Sequence, residues 1–307
     1  MKAIRQHVYG GPDSLRYEEA PQPAPHAGEV LIRVHAAGVI PTELLWSTSR
    51  TTRSGSPRPL PFIPGHEFSG EVAAIGAGVT AVSSGEAVFG MNDWYGDGAL
   101  ADFCLARADD IAPKPKSVDH VAAAATPISA LTAWQGLIER ARIEPGQHAL
   151  IHGAAGSVGS FAVQLAHIRG LRVTATVSKA NIDFARELGA NEVIDYHAER
   201  FEERVQGADV VFDTVGGDTL RRSWNVLKPG GRLVTIAASE EDSRDERVQS
   251  AFFVVEPRRA ELNEIARLID AGKLRPIVGA EFSLADAVQA YQFKPARGKV
   301  VLRVSAD

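Results

Sequence analysis

Residues 148–159 read His148-Ala149-Leu150-Ile151-His152-Gly153-Ala154-Ala155-Gly156-Ser157-Val158-Gly159. Ala149-Leu150-Ile151 is an apolar run of buried-strand type. Beyond the glycines, Val158, Phe161, Ala162 and Leu165 recur at i, i+3, i+4 and i+7, one face of a helix. A strand that turns through glycines into an amphipathic helix is the setting in which a glycine motif reads as a dinucleotide-binding turn. Gly156 lets the backbone approach a pyrophosphate, and Gly159 lets the helix pack closely on the strand. The free N–H groups and dipole of the helix start hold the phosphate charge. Ala154 stands where the first glycine of G-x-G-x-x-G belongs, so the fingerprint is incomplete. A tight turn without a ligand is the alternative.

Outward from this turn the chain alternates strand and helix. Val173 to Val177 reads as a strand, and Ile182 to Leu188 as a helix ended by Gly189. Val193-Ile194, Val210 to Phe212 and Leu233 to Ala237 follow as strands, and Phe252 to Val255 closes the series. This alternation predicts a doubly wound parallel sheet. Glu261 to Ala271 makes a further helix. The first third is different: Val30, Ile32 and Val34 alternate with Leu31, Arg33 and His35, and short runs at Glu71 to Ala74, Ala87 to Met91 and Ala101 to Leu105 are separated by glycine or proline. Many short strands at this spacing predict a small barrel or sandwich. Thr51 to Pro61 reads as a mobile surface loop and Asp110 to Ser117 as a connector. The run Val300 to Leu302 returns to strand character and is placed to rejoin the first sheet. The expected fold is thus α/β: a β-barrel domain from residues 1–118 and 272–307, with a Rossmann domain over 119–271.

Composition narrows the function classes. The 307 residues carry 33 Lys+Arg against 38 Asp+Glu, a formal net charge of −5. This gives no support to nucleic-acid binding, which needs clustered cations. Hydrophobic residues at 45% and charged residues at 23% exclude global disorder. The single cysteine, Cys104, excludes an internal disulfide and a cysteine-rich zinc module, and reads as a small buried hydrophobe. The N-terminus has no signal-peptide core. The apolar stretch Val121 to Trp134 is too short and too polar to span a bilayer. The expectation is a cytoplasmic protein with no membrane contact.

Cofactor choice is read about twenty residues beyond the glycine turn, where an NAD site places an acid for the ribose 2′-hydroxyl. Here the chain has Thr176-Val177-Ser178-Lys179. No carboxylate repels a 2′-phosphate, Ser178 can donate a hydrogen bond and Lys179 supplies a cation. NADP(H) is the favoured cofactor, and the missing acid carries more of that reading than the lysine.

Longer stretches extend the pattern: Gly28-Glu29-Val30-Leu31-Ile32-Arg33-Val34, Pro64-Gly65-His66-Glu67-Phe68-Ser69-Gly70, Leu131-Thr132-Ala133-Trp134, Leu188-Gly189-Ala190, Val193-Ile194-Asp195-Tyr196, Asp213-Thr214-Val215-Gly216-Gly217, Leu227-Lys228-Pro229-Gly230-Gly231 and Gly298-Lys299-Val300-Val301-Leu302. With the glycine turn, and in this order over nearly the whole chain, they resemble the zinc-free branch of the medium-chain dehydrogenase/reductases, in particular the NADPH:quinone oxidoreductase, or zeta-crystallin-like, group. The resemblance implies a GroES-like domain with an inserted Rossmann domain and NADPH in the cleft between them. Carried over by position, Thr132 should approach the nicotinamide or phosphate end and Tyr196 the adenosine half. Val215 and Gly216 should line the ribose side, and Phe252, Phe253 and Val254 should flank the nicotinamide. Plain strand burial is a nearly equal reading of the two phenylalanines, and a cap on the sheet edge is the alternative for Tyr196. A homodimer joined at the sheet edge Phe252 to Val255 is also implied. Family sites at Ala154, Gly156, Ser157, Val158 and Gly159 complete the cofactor set, with Ser178 and Lys179.

No metal is expected. The zinc-dependent branch has a Cys shortly after the pair corresponding to Gly38-Val39; here Ile40 follows, with no donor atom. Thr126 to Ser129, the neighbourhood of a third ligand, offers no Cys, His or acid. His66 and Glu67 alone fall short of three protein ligands and read as structural. Ile40 also replaces an Asn common in quinone reductases, which puts the quinone assignment in question. Substrate-pocket candidates are Ile40, Glu43, Trp46, Trp94 and Tyr95, with no certain catalytic residue. A solvated surface position is the simpler expectation for Glu43, and cover of the barrel edge is an alternative for Trp94 and Tyr95. The expected activity is hydride transfer from NADPH to a small-molecule quinone or enone. A zinc alcohol dehydrogenase and a non-catalytic NADPH-binding protein remain as alternatives.

Overall fold

The computed structural model describes residues 1–238 and 244–304. In chain order its strands are β1 (Lys2–Gln6), β2 (Leu15–Glu19), β3 (Glu29–Val39), β4 (Glu67–Ile75), β5 (Ala87–Met91), β6 (Phe103–Arg107), β7 (Ile111–Pro113), β8 (His148–His152), β9 (Arg172–Val177), β10 (Glu192–Asp195), β11 (Ala208–Asp213), β12 (Leu227–Thr235), β13 (Val278–Ser283) and β14 (Lys299–Arg303). The alternation of Val30, Ile32 and Val34 does build the long strand β3, and all three side chains are fully buried. Around it forms a sheet ordered β13-β14-β3-β4-β5-β7, with β6 also paired to β3. As expected, Val300 to Leu302 rejoin this sheet: β14 runs antiparallel to β3 with Leu302 opposite Ala37.

The second sheet is ordered β10-β9-β8-β11-β12, and every pairing in it is parallel. Its central strand β8 buries Ala149, Leu150 and Ile151 together, as a strand covered on both faces must. Strand order reverses between β8 and β11, so a crevice opens at the carboxyl end of β8. Helix Ser157–Ile168 leaves from that point.

The two sheets share an apolar core. Phe89, Met91 and Trp94 from the first unit pack in one cluster with Leu131, Ile151, Phe161 and Phe212 from the second. Helix His120–Ala124, assigned from sequence to the nucleotide-binding unit, packs instead on the first sheet, where Val121, Ala124 and Ala125 meet Ala36 and Val301. Among the described residues no helix is long and apolar enough to cross a membrane.

Three local expectations are corrected. The third short strand of the first unit lies two residues later, at β6, and Ala101 makes only a single bridge to Ala3. The connector after Asp110 contains β7, which pairs with β5. Most important for the site, Phe252 to Val255 is not a strand and touches its sheet only where Phe252 meets Thr235. At the end of this segment and at the next residue, backbone groups are taken by side chains. Trp94 Nε1 donates to Val255 O (3.3 Å), Gln135 Nε2 to Glu256 O (2.8 Å), and Gln135 Oε1 accepts from Glu256 N (3.1 Å). Val255 O and the Glu256 backbone are thereby satisfied without a ladder.

Candidate cofactor and active site

The glycine turn has the geometry its sequence implies. Gly153 sits at φ +68°, and Gly156 is the N-cap residue of helix Ser157–Ile168, with no side chain to occupy the first-turn N–H groups. A Cβ at Gly159 would lie 2.2 Å from Gly153 O and 2.8 Å from Ala154 Cα, so only glycine allows this helix to start so close to β8. These bare donors at a helix start, beside a buried Ala154, fit a diphosphate. Gly159→Val should weaken nicotinamide nucleotide binding by about tenfold or more, read by calorimetry, because the obstructing atoms are backbone and cannot step aside.

Beneath the turn, His152 is fully buried. Its Nδ1 lies 3.0 Å from Thr176 Oγ1 and its Nε2 3.0 Å from Ser223 Oγ. The Ser223 hydroxyl gives its hydrogen to Thr219 O, so His152 Nε2 is the donor to Ser223 and Thr176 donates to Nδ1. Burial, with nearby Arg222 adding to it, pushes the imidazole down to about 3, and His152 is neutral. Its carbonyl accepts from Thr214 Oγ1 (2.9 Å), which ties the turn to the end of β11. There Asp213 is buried and accepts from the amides of Val215 and Gly216 and from Thr235 Oγ1. Gly216 has φ +75°, a conformation that suits glycine, and Val215 projects into solvent beside it.

At the end of β9 stand Ser178 and Lys179, with no acid alongside. Two neighbours escaped sequence reasoning. Asn181 donates from Nδ2 to Ser178 Oγ (3.2 Å) and to Ala296 O (3.0 Å). The segment before β14 therefore reaches this site. Gly298 donates to Ala155 O (2.9 Å) and bridges to Gly156, and the Arg297 guanidinium lies 4.8 Å from the centre of the Phe184 ring. The chain's distant C-terminal segment thus packs on the glycine turn through Gly298, with Arg297 next to it in sequence. No periodicity marks such a contact. Its only trace in the sequence is the glycine at 298, whose φ of +62° and close approach to Ile277 O exclude a side chain.

The remaining cofactor candidates are scattered in exposure. Tyr196 is exposed and packs on His197, with its amide donating to Val177 O. Thr132 is buried, and its hydroxyl donates to Ile128 O within its own helix (2.6 Å). Phe253 is a core residue at 6% exposure, with Arg140 over its ring, whereas Phe252 and Val254 at 37% and 53% face outward.

The pocket candidates do come together. Trp46 and Trp94 meet edge to face, with centroids 5.6 Å apart, and Trp94 also packs on His66 at 5.0 Å. Ile40, Trp46 and Tyr95 lie half-buried against the same core. Tyr95 carries Arg53 over its ring, which is itself held bidentately by Asp93. Glu43 corrects the expectation of a surface glutamate: it is 1% exposed. Its Oε1 accepts from Gly65 N (2.5 Å) and Tyr291 O–H (3.4 Å), and stands 3.6 Å from His66 Nδ1. Burial raises the Tyr291 hydroxyl well above its usual range, and the facing carboxylate adds to this. The loop 51–61 is likewise not all surface. Arg58 is 5% exposed, packs over Phe62 and donates to Gly96 O. Burial lowers its affinity for its proton.

His66-Glu67 is structural in part through Lys299. That lysine, buried at the start of β14, ion-pairs with Glu67 Oε1, while Glu67 Oε2 accepts from Ile128 N (2.9 Å). Burial raises the Glu67 carboxyl, and Lys299 pulls it back. Cys104 is buried in β6 and its thiol is pushed up to about 12, in keeping with a small hydrophobe. The donor set at the cleft does not suit catalytic zinc. Ile40 offers no ligand, and His66, Glu43 and Glu67 do not form a three-donor cluster among the described residues.

Comparison with known proteins agrees with this architecture. Residues 26–116 match the model for the alcohol dehydrogenase GroES-like domain, and residues 188–302 match the model described as zinc-binding dehydrogenase. The chain is 31% identical to the NAD(P)H oxidoreductase RTN4IP1, mitochondrial, of Danio rerio, over 97% of this chain and 90% of that protein. It is also 31% identical to the 2-methylene-furan-3-one reductase of Solanum lycopersicum, over 98% and 79%. The solved quinone oxidoreductase from Coxiella burnetii superposes with a TM-score of 0.90 at 31% identity, covering 99% of each chain. The mycobacterial Rv1454c complexed with NADPH gives 0.82 at 32% identity, covering 99% and 100%. With the GroES-like sheet, the parallel sheet and the glycine turn in one chain, this protein belongs to the quinone oxidoreductase-like medium-chain dehydrogenase/reductases and is an oxidoreductase of a family that binds a nicotinamide cofactor.

Proposed function

We propose that the protein is an NADPH-dependent reductase of quinones or α,β-unsaturated carbonyl compounds that works without zinc. The observation that carries the cofactor choice is the end of β9, where Ser178 and Lys179 stand in place of an acid. The acceptor class is supported by the relatives named as quinone oxidoreductases and as a 2-methylene-furan-3-one reductase. Absence of zinc is supported by the missing ligand at Ile40 and the two-ligand remainder at the cleft.

In this reading the amides of Ser157, Val158 and Gly159 hold the diphosphate, helped by Ala154 and Gly156, which leave it room. Ser178, Lys179 and Arg297 bind the 2′-phosphate, and Tyr196 lies along the adenosine. Val215 and Gly216 line the ribose. Thr132, Phe252, Phe253 and Val254 border the nicotinamide end, with Phe253 acting from the core. When bound, NADPH supplies a hydride from C4 of its nicotinamide. Ile40, Trp46, Trp94 and Tyr95 orient a flat acceptor and exclude water. Such acceptors delocalise the charge they gain, so no dedicated acid is required of the chain. Glu43 is committed to Gly65, Tyr291 and His66 and shapes the pocket floor. The outward Phe252 and Val254 belong to the proposed homodimer contact, which light scattering tests.

The direct test is loss of NADPH absorbance against quinones, enones and aldehydes, with NADH in parallel. Turnover of quinones or enones with NADPH is expected; turnover of aldehydes alone, or a strong NADH preference, overturns the proposal. The double variant Ser178→Asp, Lys179→Ala should lower kcat/KM for NADPH about tenfold to a hundredfold, the worth of a charged hydrogen bond, and leave NADH at least as good a donor.

A further inference from the structure

We infer that His35, Glu71 and His120 form a binding site for a divalent transition-metal ion of the zinc or nickel class, outside the cofactor cleft. In the β3–β4 register Val34 stands opposite Gly70 and Ala36 opposite Ser69, so His35 is the extra residue of a β-bulge. A bulge re-aims its side chain, and here the His35 ring comes to rest on the His120 ring, with centroids 4.2 Å apart and 12° between planes. Glu71 Oε2 lies 3.8 Å from His35 Nε2. One donor atom from each of the three residues falls within 4.8 Å of the others, and among the described residues no other group of His, Cys, Asp or Glu does this.

His120 arrives from a separate element and is already prepared as a ligand. It opens helix His120–Ala124, which Asp119 caps through Ala122 N (2.8 Å). Ser69 Oγ gives its hydrogen to Val88 O (3.0 Å) and sits 2.8 Å from His120 Nδ1. A hydroxyl has one hydrogen, so His120 Nδ1 must carry the proton and donate. The lone pair of the neutral ring is then on Nε2, the state a metal requires, set by a hydrogen-bonded neighbour. Two imidazoles and a carboxylate are a donor set for zinc or nickel rather than calcium or magnesium. All three residues are only partly buried. Stacked rings aim their lone pairs side by side. Coordination tilts them apart and draws the donors to the roughly 3.4 Å spacing of a tetrahedral site with 2.0–2.1 Å bonds.

The test is calorimetric titration of chelator-treated protein with zinc chloride and with nickel chloride, independent of any turnover. One ion per chain is expected, with a dissociation constant on the order of micromolar. Glu71→Gln and His120→Gln should each weaken it about tenfold or more, and Ser69→Ala about tenfold through loss of the preset ring. Affinity should fall in acid, because protons compete with the ion for the imidazole nitrogens. Cobalt(II) should give a tetrahedral visible absorption band that needs about tenfold more cobalt to appear in Glu71→Gln. Glu71 is partly exposed, so this variant tests the site without risk to the fold. No binding, or binding unchanged in Glu71→Gln and His120→Gln, overturns the inference and leaves the stacked histidines as packing alone.

Discussion

Lys299→Met should cost the folded protein about 3–5 kcal/mol, among the largest losses of any single substitution outside the glycine turn. The lysine is 4% exposed and its partner Glu67 is fully buried. Removing the ammonium leaves a carboxylate in the interior with one backbone donor, Ile128 N, for compensation. Gly38 backs directly onto the carboxylate, where even a Cβ would sit 2.5 Å from Glu67 Oε1, so that side leaves no room for a replacement. At roughly 2 °C per kcal/mol for a large chain, the melting temperature should fall by about 6–10 °C. Changing both partners, Glu67→Gln with Lys299→Met, should recover much of that loss, since a buried pair is worth little over its neutral replacement. A single variant that melts within a degree or two of wild type would show that Glu67 is protonated, and the pair unimportant. The pair also joins β4, β14 and the start of helix Pro127–Trp134, so the same variant should raise KM for the nicotinamide nucleotide through the shifted Thr132 and Gly298.

His152 predicts acid sensitivity with a defined sign. Its folded value is about 3 against an ordinary 6.5, so between these the unfolded chain binds a proton that the folded one refuses. Stability is therefore full above about pH 6.5 and is lost as pH falls towards 3. Going from pH 7 to pH 4 this one residue removes about 3 kcal/mol, at 1.36 kcal/mol per pH unit over the window. His152→Gln, which cannot titrate, should lower stability at pH 7 by losing the Thr176 and Ser223 contacts, yet flatten the acid arm by that amount in urea unfolding. Parallel acid arms for the two proteins would refute the assignment. Because His152 O holds Thr214 and the next residue begins the phosphate turn, nucleotide affinity should weaken together with stability in the same pH range.

The proposed metal site bears on how zinc analysis is read. Zinc found in the purified protein would reflect His35, Glu71 and His120 before any cleft ligand, so zinc dependence of turnover is best judged in a Glu71→Gln background.

The legible parts of the site were those written in contiguous residues. The turn from β8 into helix Ser157–Ile168, the missing acid after Val177 and the gap at Ile40 are local, and each survives in the structure as a local fact. Misreadings occurred where a residue's fate depends on what packs against it. Glu43 looks solvated in its stretch, yet Gly65, His66 and Tyr291 close over it. Phe252 to Val255 has strand-like residues, yet Trp94 takes Val255 O and Gln135 holds the next residue, Glu256. Nothing in the spacing of Arg297 announces that Gly298 beside it packs on the glycine turn.

By itself the amino-acid sequence determined that a parallel sheet with a glycine turn at a helix start is fused to a smaller β unit, because hydrophobic period and glycine placement act within one element at a time. The tertiary structure alone decided that the C-terminal segment packs on the turn, that Lys299 neutralises Glu67, and that a bulge sets His35 against His120. Those outcomes depend on long-range packing and on charges removed from water together, and neither is encoded at any fixed spacing along the chain.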